Sequence, residues 1–236
     1  MNSLINYPVP NWIAVAFLCV IFIPSVMLAF LAAKGFPGKK NVFFKVIGFF
    51  ALYFSYVSVA SFTGWFDKVF LPPLVLLYCT FPLASFLFTV VIHSNWYKEF
   101  LNNVSLESLV QIHIFRLIGV FFILLAFYNA LPKFFGFIAG VGDIATAISS
   151  ILIARAIRKK YSNARTLTII WNIFGFSDIV FTAVTAILLT KLSIDHGTMG
   201  VDTLAKFPYC FIPAFAPPVI IFLHVSIFKK VRKTFA

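Results

Sequence analysis

Seven polar or charged side chains stand inside long apolar runs in the second half of the chain, where they could bind a proton, an ion or a small ligand. They are Gln111, His113, Arg116, Asp143, Asn172, Asp178 and His224. A charge at the centre of a membrane helix costs roughly 2.5–3.5 kcal/mol on insertion scales, so such side chains pair, lose their charge or contact water. This set is therefore the candidate site.

Helical spacing predicts that Arg116 meets Asp178. At 1.5 Å per residue, Arg116 lies ~12 Å and Asp178 ~16 Å from the N-terminal ends of their helices, which are expected on the same side of the membrane. An arginine side chain spans the difference between these depths. His113, Arg116 and Val120 follow one another at i, i+3 and i+7 and should share a face. A purely structural ion pair that fixes helix register is the alternative, and Asp143 is either structural or part of the site.

His113 and His224 are expected at similar depth. They are either ordinary polar residues near the interface or ligands of a metal or haem. The sequence has no GxSxG, HExxH, P-loop or dinucleotide fingerprint. The sequence leaves open whether the protein is an enzyme, and the lack of these motifs favours a function other than catalysis.

The composition predicts the environment of these residues. Of the residues, 61% are hydrophobic and 11% charged, and the mean hydropathy is +1.00, which is typical of an integral membrane protein. The net charge of +12 does not indicate nucleic-acid binding, because the Lys and Arg residues cluster beside apolar runs. The lipid bilayer is the expected partner, and the chain is expected to form one transmembrane domain, 1–236.

Seven apolar runs are long enough to cross a bilayer, which predicts an all-α, seven-helix bundle. They lie near residues 11–33, 42–64, 70–92, 108–130, 135–154, 167–190 and 207–228. The first run is expected to be an anchor rather than a cleaved signal, because residues 1–10 hold no Lys or Arg.

An external N-terminus and a cytosolic C-terminus follow from the basic residues, with the plasma or inner membrane as the expected location. This arrangement puts 14 Lys and Arg residues on the cytosolic side and four outside. The four are Lys68, Lys133, Lys191 and Lys206.

Small residues and prolines mark the last helices. Gly136 and Gly140 form a GxxxG pattern, which favours close helix packing. The seventh run contains prolines at 208, 213, 217 and 218, which indicates either a kinked helix lining a cavity or plain packing.

Seven helices with an external N-terminus resemble the topology of the microbial rhodopsins. That family attaches retinal to a lysine midway along helix seven, and residues 207–228 contain no lysine. We therefore expect no covalent retinal. The stretches QIHIFRLIG, GVGD, WNIFGFSD and FIPAFAPPVIIFLH resemble uncharacterised small bacterial membrane proteins. That resemblance implies that these polar residues act together.

A small-solute or proton-linked transporter is the leading functional hypothesis. In it, Asp178 binds a proton or cation and Arg116 alternates as its partner. The competing hypothesis is a seven-helix receptor or sensor that binds a small ligand or haem. The sequence leaves the substrate and the oligomeric state open.

Overall fold

The computed structural model describes residues 9–36, 38–39 and 41–235, and this part of the chain is helical without any strand. One short 3₁₀ turn, Asp202–Ala205, precedes the last helix. The helices are α1 (Asn11–Lys34), α2 (Asn41–Phe62), α3 (Leu76–Val91), α4 (Asn95–Asn103), α5 (Leu106–Phe127), α6 (Lys133–Arg158), α7 (Ala164–His196) and α8 (Phe211–Thr234).

Six of the described helices are long and apolar enough to cross a membrane: α1, α2 and α5 to α8. A seventh span exists if α3 and α4 are counted together, although they meet at an angle of 84°. The apolar run at 70–92 was expected to be one span. α3 ends close to the expected position but begins only at Leu76, because Pro72 and Pro73 lack the N–H groups that a helix needs. The chain then turns at Ser94, whose hydroxyl caps α4 by accepting from the Tyr97 N–H at 3.0 Å.

Two of the later helices extend beyond their predicted ends. α6 has 26 residues and α7 has 33. At 1.5 Å per residue, α7 is about 50 Å long, which exceeds the ~30 Å hydrocarbon layer. Its additional turns carry polar residues such as Arg165, Lys191 and Asp195, which hydropathy alone excludes from a span.

The helical hairpin of α5 and α6 is unusually close because the GxxxG glycines face α5. A Cβ atom on Gly136 would lie 2.6 Å from the Phe122 carbonyl oxygen, and one on Gly140 would lie 2.7 Å from that of Gly119. Glycine is therefore required at both positions for the backbones to approach this far. The close approach brings the middle of α6 against the part of α5 that carries Arg116.

That part of α5 is wound more tightly than an α-helix. Residues Ile112–Gly119 form a 3₁₀ segment of eight residues between two α-helical turns. Runs of this length are uncommon, and a 3₁₀ stretch inside a helix often marks a functional hinge.

Three prolines free backbone carbonyls inside the bundle, and each carbonyl receives a hydroxyl from a neighbouring helix. Pro217 and Pro218 cannot donate to the carbonyls four residues earlier, at 213 and 214. Thr80 Oγ1 donates to the first at 2.6 Å, and the Tyr53 hydroxyl donates to the second at 2.9 Å. The Tyr56 hydroxyl donates to the carbonyl of Tyr78, four residues before Pro82, at 2.9 Å. α8 is thus tied to α2 and α3.

Tyr53→Phe should destabilise the protein by about 1 kcal/mol, because it leaves the Ala214 carbonyl without its donor in apolar surroundings. Thermal unfolding of the purified protein in detergent measures this. Tyr78→Phe is the matched control, since the Tyr78 hydroxyl bonds to no described residue and its ring is 46% exposed. Equal losses from the two substitutions would contradict the assigned role of Tyr53.

Candidate functional site

Arg116 is the centre of the site, and it is 1% exposed in the middle of the bundle. Its Nε donates to Asp143 Oδ1 at 2.7 Å, and its Nη2 donates to Asp178 Oδ2 at 2.5 Å. Nη1 donates to the Gly175 carbonyl oxygen at 3.0 Å and lies 3.2 Å from His224 Nε2. One guanidinium therefore joins four helices, α5 to α8.

The bond to His224 fixes which imidazole nitrogen carries the proton. A guanidinium can only donate, so His224 Nε2 accepts and the proton of the neutral ring is on Nδ1. Nδ1 then donates to Asn172 Oδ1 at 2.8 Å, and Asn172 Nδ2 donates to the His224 carbonyl at 3.0 Å. His224 is thus a neutral, fully bonded member of the cluster.

The 3₁₀ segment determines what lies beside Arg116 on α5. With three residues per turn, His113, Arg116 and Gly119 lie directly above one another. Val120, which an α-helical face would have placed there, is 39% exposed and points outwards. Gly119 takes its place, and a Cβ atom there would lie 2.4 Å from the Cβ of Asp143.

His113 is completely buried, and neither of its ring nitrogens has a partner among the described residues. Its ring centroid lies 4.3 Å from that of His224 and 5.2 Å from that of Trp171. The hypothesis of a haem between the two histidines does not fit this contact, because the rings leave no room for a porphyrin. Within the described residues, no three His, Cys, Asp or Glu side chains are grouped to hold a metal ion.

Six of the seven candidate residues come together, and Gln111 does not. Gln111 is exposed and has no hydrogen bond to a described residue, since it is two residues from His113 on the other side of α5. The expected pairing of Arg116 with Asp178 is present, and Asp143 is a second carboxylate on the same guanidinium. The six residues come from α5, α6, α7 and α8, which correspond to the last four of the seven predicted spans.

A cavity of about 230 Å³ adjoins the cluster. Arg116 and Asp143 line it, whereas Asp178 does not. Most of the remaining wall is apolar, and part of it comes from α1 and α3, with Ile21, Pro24 and Thr80. The sequence placed the site in the second half of the chain only, because these wall residues are apolar or small and look like ordinary membrane-helix positions.

A second cavity of about 140 Å³ lies between the first and one end of the bundle. The two cavities share the lining residues Leu76, Ala186, Leu204 and Pro213, so one layer of side chains separates them. Charged residues line the mouth of the second cavity, namely Asp67, Lys68, Asp202 and Lys206. Burial raises the pKa of Asp202 above its ordinary value, and the charge of Lys206 opposes this rise.

The chain belongs to the family described as Domain of unknown function (DUF8737), whose model matches residues 72–232. The matched region contains α3 to α7 and nearly all of α8, and therefore the complete Arg116 cluster. No curated protein and no solved structure matches the chain.

Arg116→Gln should lower stability by about 3–5 kcal/mol, because it leaves buried carboxylates without their cation. Arg116→Gln with Asp178→Asn should recover only part of this loss, because Asp143 stays charged. The triple variant that adds Asp143→Asn should recover more. Thermal unfolding of the full set gives the coupling terms. Strictly additive losses would show that the three side chains do not interact. Lys191→Gln is the control: Lys191 forms an exposed pair with Asp195, so its replacement should change the stability little.

Gly142→Ala should disrupt the cluster without altering any charged residue. A Cβ atom at this position would lie 1.8 Å from Asp178 Oδ1, so the carboxylate must move away from Arg116. Gly48→Ala is the matched control, because a Cβ atom there meets nothing within 4 Å and alanine favours the helix by about 1 kcal/mol. In thermal unfolding, Gly142→Ala should destabilise and Gly48→Ala should not. Equal effects would mean that Asp178 is not held against Gly142.

Proposed function

We propose that this protein is a proton-linked membrane carrier for a small, largely apolar cation, in which Asp143 holds either a proton or the cationic group of the solute. The observation that carries the proposal is the charge of the cluster. One guanidinium is held between two carboxylates, and the neighbouring His224 is neutral by its hydrogen bonding.

The cluster therefore has one negative charge in excess when both carboxylates are ionised. An uncompensated charge in apolar surroundings is costly, so a proton or a cation in the site is favoured. A group that takes up a proton in one state and a cation in another couples the movements of the two.

The cavity identifies Asp143 as the carboxylate for this exchange. Asp143 lines the cavity with Arg116, and only its Oδ1 accepts from the guanidinium. Oδ2 remains for a proton or a cationic group. Asp178, the residue favoured by sequence spacing, lies outside the cavity wall and is better placed to position Arg116.

The cavity wall supports a small and mostly apolar solute. Its volume of about 230 Å³ lies below the ~300–1,000 Å³ typical of sites for drug-sized ligands. Outside the charged pair, the hydroxyls of Thr80 and Thr182 are the polar side-chain groups among its described lining residues. A short alkyl or aryl group with one ammonium centre matches this combination.

The two ends of the bundle differ in access. The second cavity lies one layer of side chains from the first, towards the end with Asp67 and Lys68. On the opposite side of Arg116, the buried rings of His113, His224 and Trp171 pack against one another. This arrangement supports a carrier seen in a closed state, in which a single layer of side chains separates the site from the cavity at one end. We place that end outside the cell, because the Lys- and Arg-rich loops then face the cytosol, with seven spans and an external N-terminus.

The same closed ring layer also favours one alternative, a receptor or sensor that binds its ligand without moving it. Both functions use the cavity and Asp143. They differ in whether the ligand crosses the membrane, so transport and binding must be measured separately.

Reconstituted vesicles test the proposal with phenyltrimethylammonium as the probe, since it has a fixed charge and cannot lose a proton. With an inward-directed probe gradient, vesicles of the natural sequence should accumulate the cation and export protons, read by an entrapped pH dye. Asp143→Asn should reduce both fluxes at least tenfold, because the amide binds neither a proton nor a cation. Asp195→Asn, at an exposed site, is the matched control and should retain both.

Cation uptake that persists in Asp143→Asn would contradict the proposed role of Asp143. Binding of the probe without uptake would support the receptor instead. Uptake of phenylacetate, which has the opposite charge and similar size, would show that Arg116 rather than Asp143 selects the solute.

A further inference from the structure

A large groove lies between α1, α2, α3 and α4, apart from the Arg116 cluster. Its volume is about 900 Å³, and its walls are mainly apolar side chains such as Leu28, Val46 and Phe49. None of the residues Phe86–Val91 of α3 is buried. This half of α3 is therefore incompletely packed, and the groove can admit a ligand from the side.

One end of the groove is formed by a surface helix, α4. α4 turns by 84° from α3, so that it lies along the membrane surface when α3 spans the membrane. Its Tyr97 hydroxyl bonds to Ser226 Oγ at 2.9 Å, and Lys230 Nζ donates to the carbonyls of Leu101 and Asn102 at 2.9 and 3.0 Å. These bonds fix α4 to the end of α8.

The mouth of the groove is positively charged. Lys39 and Lys45 both line it. Lys39 is paired with Glu99 at 2.6 Å, whereas Lys45 is exposed and has no ion pair or hydrogen bond with a described residue. Trp96 lies at the same mouth, with its ring stacked on Phe36 at 4.8 Å, and tryptophan is typical of the level of lipid headgroups.

We propose that this groove binds an anionic phospholipid, with its phosphate at Lys45 and an acyl chain along the apolar wall near Val46. A basic residue close to the membrane surface attracts anionic headgroups, and an apolar channel beneath it accepts the chain. Because the groove also reaches Leu223, next to His224 on α8, the lipid contacts a helix of the Arg116 cluster. The proposal does not depend on the carrier function.

Native mass spectrometry of delipidated protein tests the headgroup. Phosphatidylglycerol and phosphatidylcholine with identical chains are added in turn. The natural sequence should prefer phosphatidylglycerol, and Lys45→Gln should weaken its binding about fivefold while leaving phosphatidylcholine unchanged. Lys159→Gln is the matched control, because Lys159 is exposed near the end of α6 and does not line the groove. Equal losses of phosphatidylglycerol binding in both variants would show that the lipid responds only to general surface charge, which would overturn the proposal.

Two further measurements test the acyl chain. Val46→Trp fills the groove and should weaken phosphatidylglycerol binding at least fivefold, whereas Leu52→Trp, on the same helix but 76% exposed outside the groove, should not. Glycerol phosphate, which has the headgroup chemistry without chains, should not bind. Binding of glycerol phosphate with the affinity of the lipid, or unaltered lipid binding in Val46→Trp, would contradict a lipid site.

Discussion

A guanidinium removed from water needs an acceptor for nearly every N–H group, and at Arg116 this requirement sets how four helices meet. The acceptors come from α6, α7 and α8, and each must lie at one depth and one rotation to reach the same side chain. The glycines of α5 and α6 meet this condition by letting the two backbones approach. The family match over residues 72–232 contains Arg116 and every residue that bonds to its guanidinium.

The prolines of α8 also affect the region around Arg116. Losing two helical hydrogen bonds would leave two carbonyls unpaired in apolar surroundings, and the hydroxyls of Tyr53 and Thr80 satisfy them from α2 and α3. This exchange attaches the first part of the bundle to α8. It also places Pro213 and Thr80 in the cavity wall, so that the feature which weakens α8 shapes the space beside Arg116.

Hydropathy and helix rise predicted much of this arrangement. The apolar runs locate the spans, and the depths of Arg116 and Asp178 predict their contact, because both depend only on distances along a helix. The second partner, Asp143, could not be ranked, since its rotation depends on how closely α5 and α6 pack. Val120 was expected on the face of Arg116 but is exposed, because the 3₁₀ segment changes the spacing and no residue type in the sequence predicts that segment. The surface helix α4 was missed because its nine residues, Asn95–Asn103, are too few and too polar to be found as a membrane span.

The tight winding of Ile112–Gly119 makes this part of α5 narrower and longer than eight α-helical residues would be. A 3₁₀ helix rises about 2.0 Å per residue with three residues per turn, against 1.5 Å and 3.6 in an α-helix. Rewinding these eight residues into an α-helix would shorten α5 by about 4 Å and rotate one end relative to the other by about 160°. Arg116 would then leave its carboxylates, and His113 would leave the ring of His224. A rearrangement within a single helix is therefore enough to dismantle the contacts on both sides of the cluster.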